Sequence, residues 1–221
     1  MNLAKIPSRT DYVDSVYNTL RDAISDGTLP AGERVTQEDL AARLNVSRSP
    51  VLQALRLLKK DGLLQDAPGR GLLVTRLDPE QIGHLYEIRG ALDALAAKLA
   101  AERCREVPLS LIEQGRQISL GSDVSAMIEA DIAFHRKIYE ASGNPLIMGN
   151  ALLHWVHFRR IMGAVLQRRG SRQGIWDEHE AIALAINAGD AARAALLSEQ
   201  HANAARQALI KHLEQADLSA A

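Results

Sequence analysis

A single cysteine, Cys104, stands in 221 residues, which excludes an intramolecular disulfide framework and fits a reducing compartment. Aromatic residues are also scarce, at 4% against 47% hydrophobic residues overall. Leucine and alanine must therefore build the core, as in a mostly helical protein. No run approaches ~18 uncharged apolar residues, the length a membrane-spanning helix needs. The N-terminal stretch MNLAKIPSRT holds no apolar segment of the signal-peptide kind. The expected location is the cytoplasm. Neither sign of charge dominates: the formal net charge is −1, with net +2 over residues 1–77 and −3 over the remainder. That balance argues against broad affinity for nucleic acid, so DNA binding has to rest on a few placed cations summed at a dimeric site. Convincing strands are missing beyond residue 78, and the length suits two modest domains.

What is present is densest from Val35 to Lys60, VTQEDLAARLNVSRSPVLQALRLLKK. Asp39 to Leu44 supplies a first apolar pair, Asn45-Val46 breaks the periodicity, and Ser47 is expected to N-cap a helix opening at Arg48. At about 100° per residue, Ala54, Leu55 and Leu58 share a stripe with Val51, while Ser49, Gln53, Arg56 and Lys60 gather at the opposite pole. That pole holds donors, cations and an amide without a carboxylate. It suits a helix lying in a DNA major groove, although an ordinary amphipathic hairpin satisfies the same pattern. The flanks favour the first reading. Gly62 ends the helix, and Leu63 to Thr75 reads as two strands around a Pro68-Gly69-Arg70-Gly71 turn, with Arg70 placed to reach a phosphate or the minor groove. Upstream, Asp11 to Ser25 reads as an amphipathic helix closed by Asp26-Gly27, followed by a loop from Leu29 to Gly32.

DAISDGTLPAGERVTQEDLAARLNVSRSPVLQALRLLKKDGLL followed by GRGLLVT resembles the DNA-binding domain of GntR-type bacterial transcriptional regulators, from about Tyr12 to Arg76. Ser47, Arg48, Ser49, Arg56, Arg70 and Gly71 match the family pattern. Glu38 and Leu52 depart from it, standing where the family commonly has arginines that touch DNA. The resemblance implies a winged helix-turn-helix, here residues 1–77. With the outward pole added, the expected DNA-binding set is Arg48, Ser49, Gln53, Arg56, Lys60 and Arg70. A single small helix rarely gives enough specificity, so a homodimer on a palindromic double-stranded operator is expected.

Asp78-Pro79 marks the boundary, with Pro in the first turn of a new helix. From residue 78 to 221 the segments 79–104, 107–120, 122–142, 145–169, 172–188 and 190–215 read as six helices, an antiparallel bundle, so the fold class is mainly α. Asp131 and His135 are four apart and stack on one helical face, where a carboxylate oxygen and an imidazole nitrogen can bind one cation. His179 and His201 lie on two further helices. An Asp-His-His-His set suits Zn²⁺ foremost, with Ni²⁺ or Mn²⁺ as alternatives. Taken singly, each histidine is better explained as a surface or hydrogen-bonded core residue, and His84, His154, His157 and His212 are left in that class.

LYEIRGALDALAAKLAA, DIAFHRKIYEASGNP, DEHEAIALAINAGDAARAA and the later His201 resemble the all-helical effector domain of the GntR subfamily typified by fatty-acid-responsive regulators. The resemblance implies metal binding by Asp131, His135, His179 and His201. It also favours a pocket role for Arg89, able to hold a carboxylate effector in bidentate geometry, over a surface ion pair with Asp93. Arg159 and Arg160 read as a solvated face, and Asn144 as a turn residue. The expected function is a transcriptional regulator, a repressor by resemblance, whose operator affinity is set by a small organic acid bound at the metal. Rival readings are a metal-dependent enzyme or a direct metal-ion sensor. Against the enzyme, Glu178 and Glu180 point about 100° away from His179 on its helix, and no nucleophile motif or phosphate-binding loop is present.

Overall fold

The structure, a computed structural model, describes residues 10–166 and 172–220. Contacts divide the chain into two compact units between Arg76 and Leu77.

In the first unit, α1 (Thr10–Asp26) buries Val16, Leu20 and Ile24 against α3 (Arg48–Lys60). The phenol of Tyr17 donates to the Asp61 carboxylate at 2.6 Å, fixing α1 against the C-terminal end of α3. Thr36 caps α2 (Gln37–Leu44) by accepting from the Asp39 N–H, and Asn45 ends it in the left-handed conformation at φ 51°. Asparagine tolerates that conformation, so the tight turn forms without glycine. α3 (Arg48–Lys60) buries the expected stripe of Val51, Ala54, Leu55 and Leu58. Ser47 occupies the N-cap position with extended backbone, but its hydroxyl makes no capping hydrogen bond, contrary to expectation.

The expected hairpin is present as β2 (Leu64–Asp66) and β3 (Leu72–Val74), paired antiparallel with Leu64 opposite Val74. An unexpected third strand, β1 (Arg34–Val35), pairs with the other edge of β3, giving the order β1-β3-β2. At Gly71, with φ +93°, a Cβ would lie 2.8 Å from the Val35 carbonyl oxygen, so β1 approaches only because a side chain is absent there. Three helices and this small sheet form a winged helix-turn-helix.

The second unit holds six helices among the described residues: α4 (Pro79–Glu102), α5 (Ser110–Ser119), α6 (Val124–Ala141), α7 (Pro145–Leu166), α8 (Arg172–Asn187) and α9 (Ala191–Ala220). Asp78 and Asp123 cap α4 and α6 through their carboxylates. In the C-terminal half of α4, Ala96, Ala97, Ala100 and Ala101 are buried, and these small side chains let neighbouring helices close in. No helix is long and apolar enough to cross a membrane among the described residues.

α5 meets α8 at Gly115, where a Cβ would fall 2.0 Å from the Trp176 ring. That ring is 2% exposed, and its N–H donates to the Ser119 hydroxyl at 2.7 Å. Gly115→Ala is expected to cost about 1–3 kcal/mol by overpacking. A lower melting temperature with red-shifted tryptophan emission would record the displaced indole.

Candidate functional site

α4, α6, α8 and α9 each turn charged or titratable side chains into the interior of the second unit. α6 contributes Asp131 and His135 one turn apart, α8 contributes His179, and α9 contributes His201. All four are between 0% and 6% exposed. Donor nitrogens of the three histidines lie within 4.8 Å of one another. His179 Nε2 and His201 Nε2 are 3.3 Å apart. Asp131 borders the same point, its Oδ1 3.5 Å from His179 Nε2 and its Oδ2 3.8 Å from His135 Nε2. Thus the four positions singled out from sequence converge.

Arg89 lies inside this group. Its Nη2 donates to His135 Nε2 at 2.8 Å, its Nε reaches Asp93 Oδ2 at 3.2 Å, and Asp131 Oδ2 is 3.9 Å away. The i,i+4 pair with Asp93 therefore exists, but 7% and 4% side-chain exposure make it a buried pair. The His135 lone pair that accepts from Arg89 is the one a cation would use. Burial pulls the guanidinium pKa down, but Asp93, Tyr86 and Asp131 outweigh it and hold Arg89 firmly charged.

Several partners escaped the sequence reading. Asp93 faces His135 Nδ1 at 3.5 Å and accepts from the Tyr139 hydroxyl. Glu178 was set aside for pointing away from His179. Its Oε2 nevertheless lies 2.6 Å from His201 Nδ1, because α9 runs alongside α8. A carboxylate on Nδ1 holds the proton there and leaves Nε2 facing inward with its lone pair, the arrangement that orients a metal-binding imidazole. Glu180 instead pairs with Arg116 at 2.7 Å. Phe134 stacks on His179 at 4.1 Å between centroids, and Trp176 meets it edge-on at 4.9 Å, which fixes the ring plane.

Arg159 and Arg160, expected on a solvated face, are both 7% exposed. α7 is buried on every side from Phe158 to Gly163, and Arg159 reaches Glu129 at 2.5 Å. Burial lowers the Arg160 pKa to about 10. Asn144 serves the turn, accepting from the Leu146 N–H.

The group's electrostatics suit a cation. Burial first, then Arg89 and the other imidazoles, holds His135 well below the ordinary histidine value. For His179 the causes are burial, then His201 and Arg89. Both rings are therefore neutral, as ligation requires. Burial also raises Asp131, with Arg89 pulling against it. Asp131 Oδ2 and His179 Nδ1 are buried without hydrogen-bond partners. An orphaned carboxylate oxygen beside three imidazoles is a donor set that fits a divalent first-row metal. Against this set opens a cavity of about 220 Å³, with Arg89, Asp131, Glu178 and His201 at one end and apolar side chains elsewhere.

In the first unit, all six expected DNA-binding residues are exposed: Arg48, Ser49, Gln53, Arg56, Lys60 and Arg70. The outward pole of α3 lacks a carboxylate, but α2 sets one beside Arg48 and Arg70. Glu38 Oε1 lies 3.6 Å from Arg48 Nη1 and 3.8 Å from Arg70 Nη2. Arg34 braces the turn between β2 and β3, donating to the Pro68 and Arg70 carbonyls at 2.8 and 2.9 Å. No periodic pattern marked it.

A winged helix-turn-helix ahead of a helical domain with a histidine-lined interior is the architecture of a DNA-binding transcriptional regulator. The chain belongs to the gntR family of bacterial regulatory proteins, whose model matches residues 13–74, and carries an FCD domain over residues 84–215. It is similar to the HTH-type transcriptional regulator YdhC of Bacillus subtilis, 32% identical over 186 residues covering 80% of this chain and 82% of that protein. LutR, another HTH-type regulator of Bacillus subtilis, is 30% identical over 195 residues, 77% and 89% of the two chains. The solved structure of E. coli McbR/YncC shares the fold, with a TM-score of 0.75 at 22% identity over 91% of this chain and 98% of that one. YdhC and LutR are HTH-type transcriptional regulators, and the chain stands with them.

His135 and His179 stay neutral when folded but take up protons near pH 6.5 when unfolded. Below that pH the unfolded chain binds more protons, so stability falls as pH falls. Chelator-treated protein is expected to keep its stability above about pH 6.5 and to lose up to about 1.4 kcal/mol per pH unit per histidine below it. Raised Asp131 acts in the opposite sense nearer the carboxylate range. Denaturant midpoints measured from about pH 7.5 to 5.5 check the sign.

Proposed function

We propose that this regulator is a cytoplasmic, homodimeric repressor whose hold on a palindromic operator is loosened by a small carboxylate bound at a metal in the second unit. The observation that carries this reading is the convergence of Asp131, His135, His179 and His201 beside Arg89 at one end of a cavity. Those four side chains would hold the metal, with Zn²⁺ the best match to three imidazoles and a carboxylate, and Ni²⁺ or Mn²⁺ as alternatives. A bound divalent ion supplies a Lewis-acidic position for one carboxylate oxygen. Arg89 supplies the fixed cation beside it, and Glu178 keeps His201 in the tautomer that turns Nε2 inward. For a typical 5–150-fold change in operator affinity, the acid has to prefer one arrangement of the dimer by about 1–3 kcal/mol. An exposed apolar stripe on α4 supports dimerisation: Ile88, Ala91 and Leu95 recur at helical spacing, with Ile88 46% and Leu95 43% exposed.

In the reader, Arg48, Ser49, Gln53, Arg56, Lys60 and Arg70 form the DNA-contacting set, with base edges read by α3 and phosphates held from both α3 and the wing. Glu38 tempers it, since Arg48 and Arg70 must leave a carboxylate before meeting phosphate.

The test is fluorescence anisotropy on a duplex selected in vitro from a random library, with elemental analysis of the same preparations. Metal content should fall to near zero in His179→Ala, and undiminished metal would remove His179 from the ligand set. Arg56→Ala should weaken binding and reduce the salt slope by about one. Glu38→Gln should strengthen binding at low salt; unchanged affinity would show that the Arg48–Glu38–Arg70 contacts exert no restraint.

A further inference from the structure

The cavity beside the histidines is polar at one end only. Arg89, Asp131, Glu178 and His201 cluster there, and Glu178 is already committed to His201. The remaining walls come from α4, α7, α8 and α9 and include Met162, Val165, Leu166, Ile175 and Ala205. Apart from the Tyr86 phenol near Arg89, these walls offer no side-chain hydrogen-bonding group among the described residues. We propose that the cavity selects a monocarboxylic acid whose remaining part is apolar and about as large as one aromatic ring, such as an arylacetic or short branched aliphatic acid. The proposal rests on the reading that a carboxylate effector binds at the metal set, and it names the class.

Three observations carry it. The first is size: an apolar cavity of roughly 150 Å³ accepts benzene, and here about 220 Å³ leaves room for a ring and a short acidic arm. The second is wall chemistry. Each ligand hydroxyl pressed against aliphatic side chains without a partner would lose about five- to a hundredfold in affinity, which disfavours sugar acids and polyhydroxy acids. The third is charge. Among the described lining residues Arg89 is the only Lys or Arg, and it already meets Asp93 and Asp131. With a divalent ion in place, one ligand carboxylate has the ion and Arg89 as its partners. A second would be buried against aliphatic walls with no further cation lining the cavity among the described residues.

The experiment uses the full chain loaded with one equivalent of Zn²⁺. Titration calorimetry is run alongside emission from the tryptophans, of which Trp176 lies 4.9 Å from the His179 ring. Probes are phenylacetate, 4-methylpentanoate, acetate, succinate, citrate and gluconate. Phenylacetate and 4-methylpentanoate are expected to bind at least about tenfold tighter than the other four. Ala205→Leu, which narrows the apolar wall one helical turn along α9 from His201, should lose that advantage while retaining metal content and acetate binding. Citrate, succinate or gluconate binding more tightly than phenylacetate, in a manner abolished by chelator, would overturn the apolar assignment and leave the effector reading standing. Acid binding that survives both chelator and Ala205→Leu would place the acid elsewhere, and binding by none of the probes would end both. A misfolded Ala205→Leu, detected by circular dichroism, leaves the rank order of the six probes on the native chain to decide.

Discussion

A guanidinium buried in the middle of a helical bundle must be answered from several directions, and Arg89 is. Asp93 on its own helix, Asp131 and His135 on α6, and through them His179 and His201 form one connected polar group. Leaving such a charge unpaired costs about 3–5 kcal/mol. The four helices that contribute to it are therefore tied to one another by a polar requirement as well as by packing. The aromatic rings stacked on and set edge-on to His179, with the carboxylate on His201, extend that order to the nitrogen atoms themselves. The arrangement is costly for a protein that needs only to fold. It is reasonable for one that must hold donors in place for an ion and its ligand.

Legibility from sequence followed the length scale of each signal. The stripe on α3 could be read directly, because thirteen residues give a helical period time to repeat. β1 could not, since two residues carry no alternation; its existence depends on a glycine thirty-six positions later that lets it approach. Arg159 and Arg160 were assigned to solvent on charge alone, whereas α7 passes through the interior and takes its arginines with it. Asp131 and His135 announced a shared face by their spacing. That His179 and His201 meet them follows from tertiary packing, and only the family resemblance suggested it. Glu178 shows the limit of helical-wheel reasoning: its angle relative to His179 was right, yet its partner is on the next helix.

The outer face of α3 and the interior of the second unit deal with charge in opposite ways. On α3, Arg56 and Lys60 are exposed. In the interior, Arg89 is withdrawn and saturated. Beside α3, Glu38 places an anion near two exposed arginines, at a position where the family pattern has a cation. On the DNA-contacting role proposed for Arg48 and Arg70, that anion would trade general attraction for discrimination.

Arg34 has a consequence for how the wing meets DNA. By grasping the carbonyls of Pro68 and Arg70 it stiffens the tip of the loop before any duplex arrives. The entropy of ordering that loop is then spent during folding, so a tip that contacts DNA as proposed would dock as a preshaped wedge. A loop of the same sequence without its brace would search for its shape on the DNA, arriving more slowly and leaving sooner.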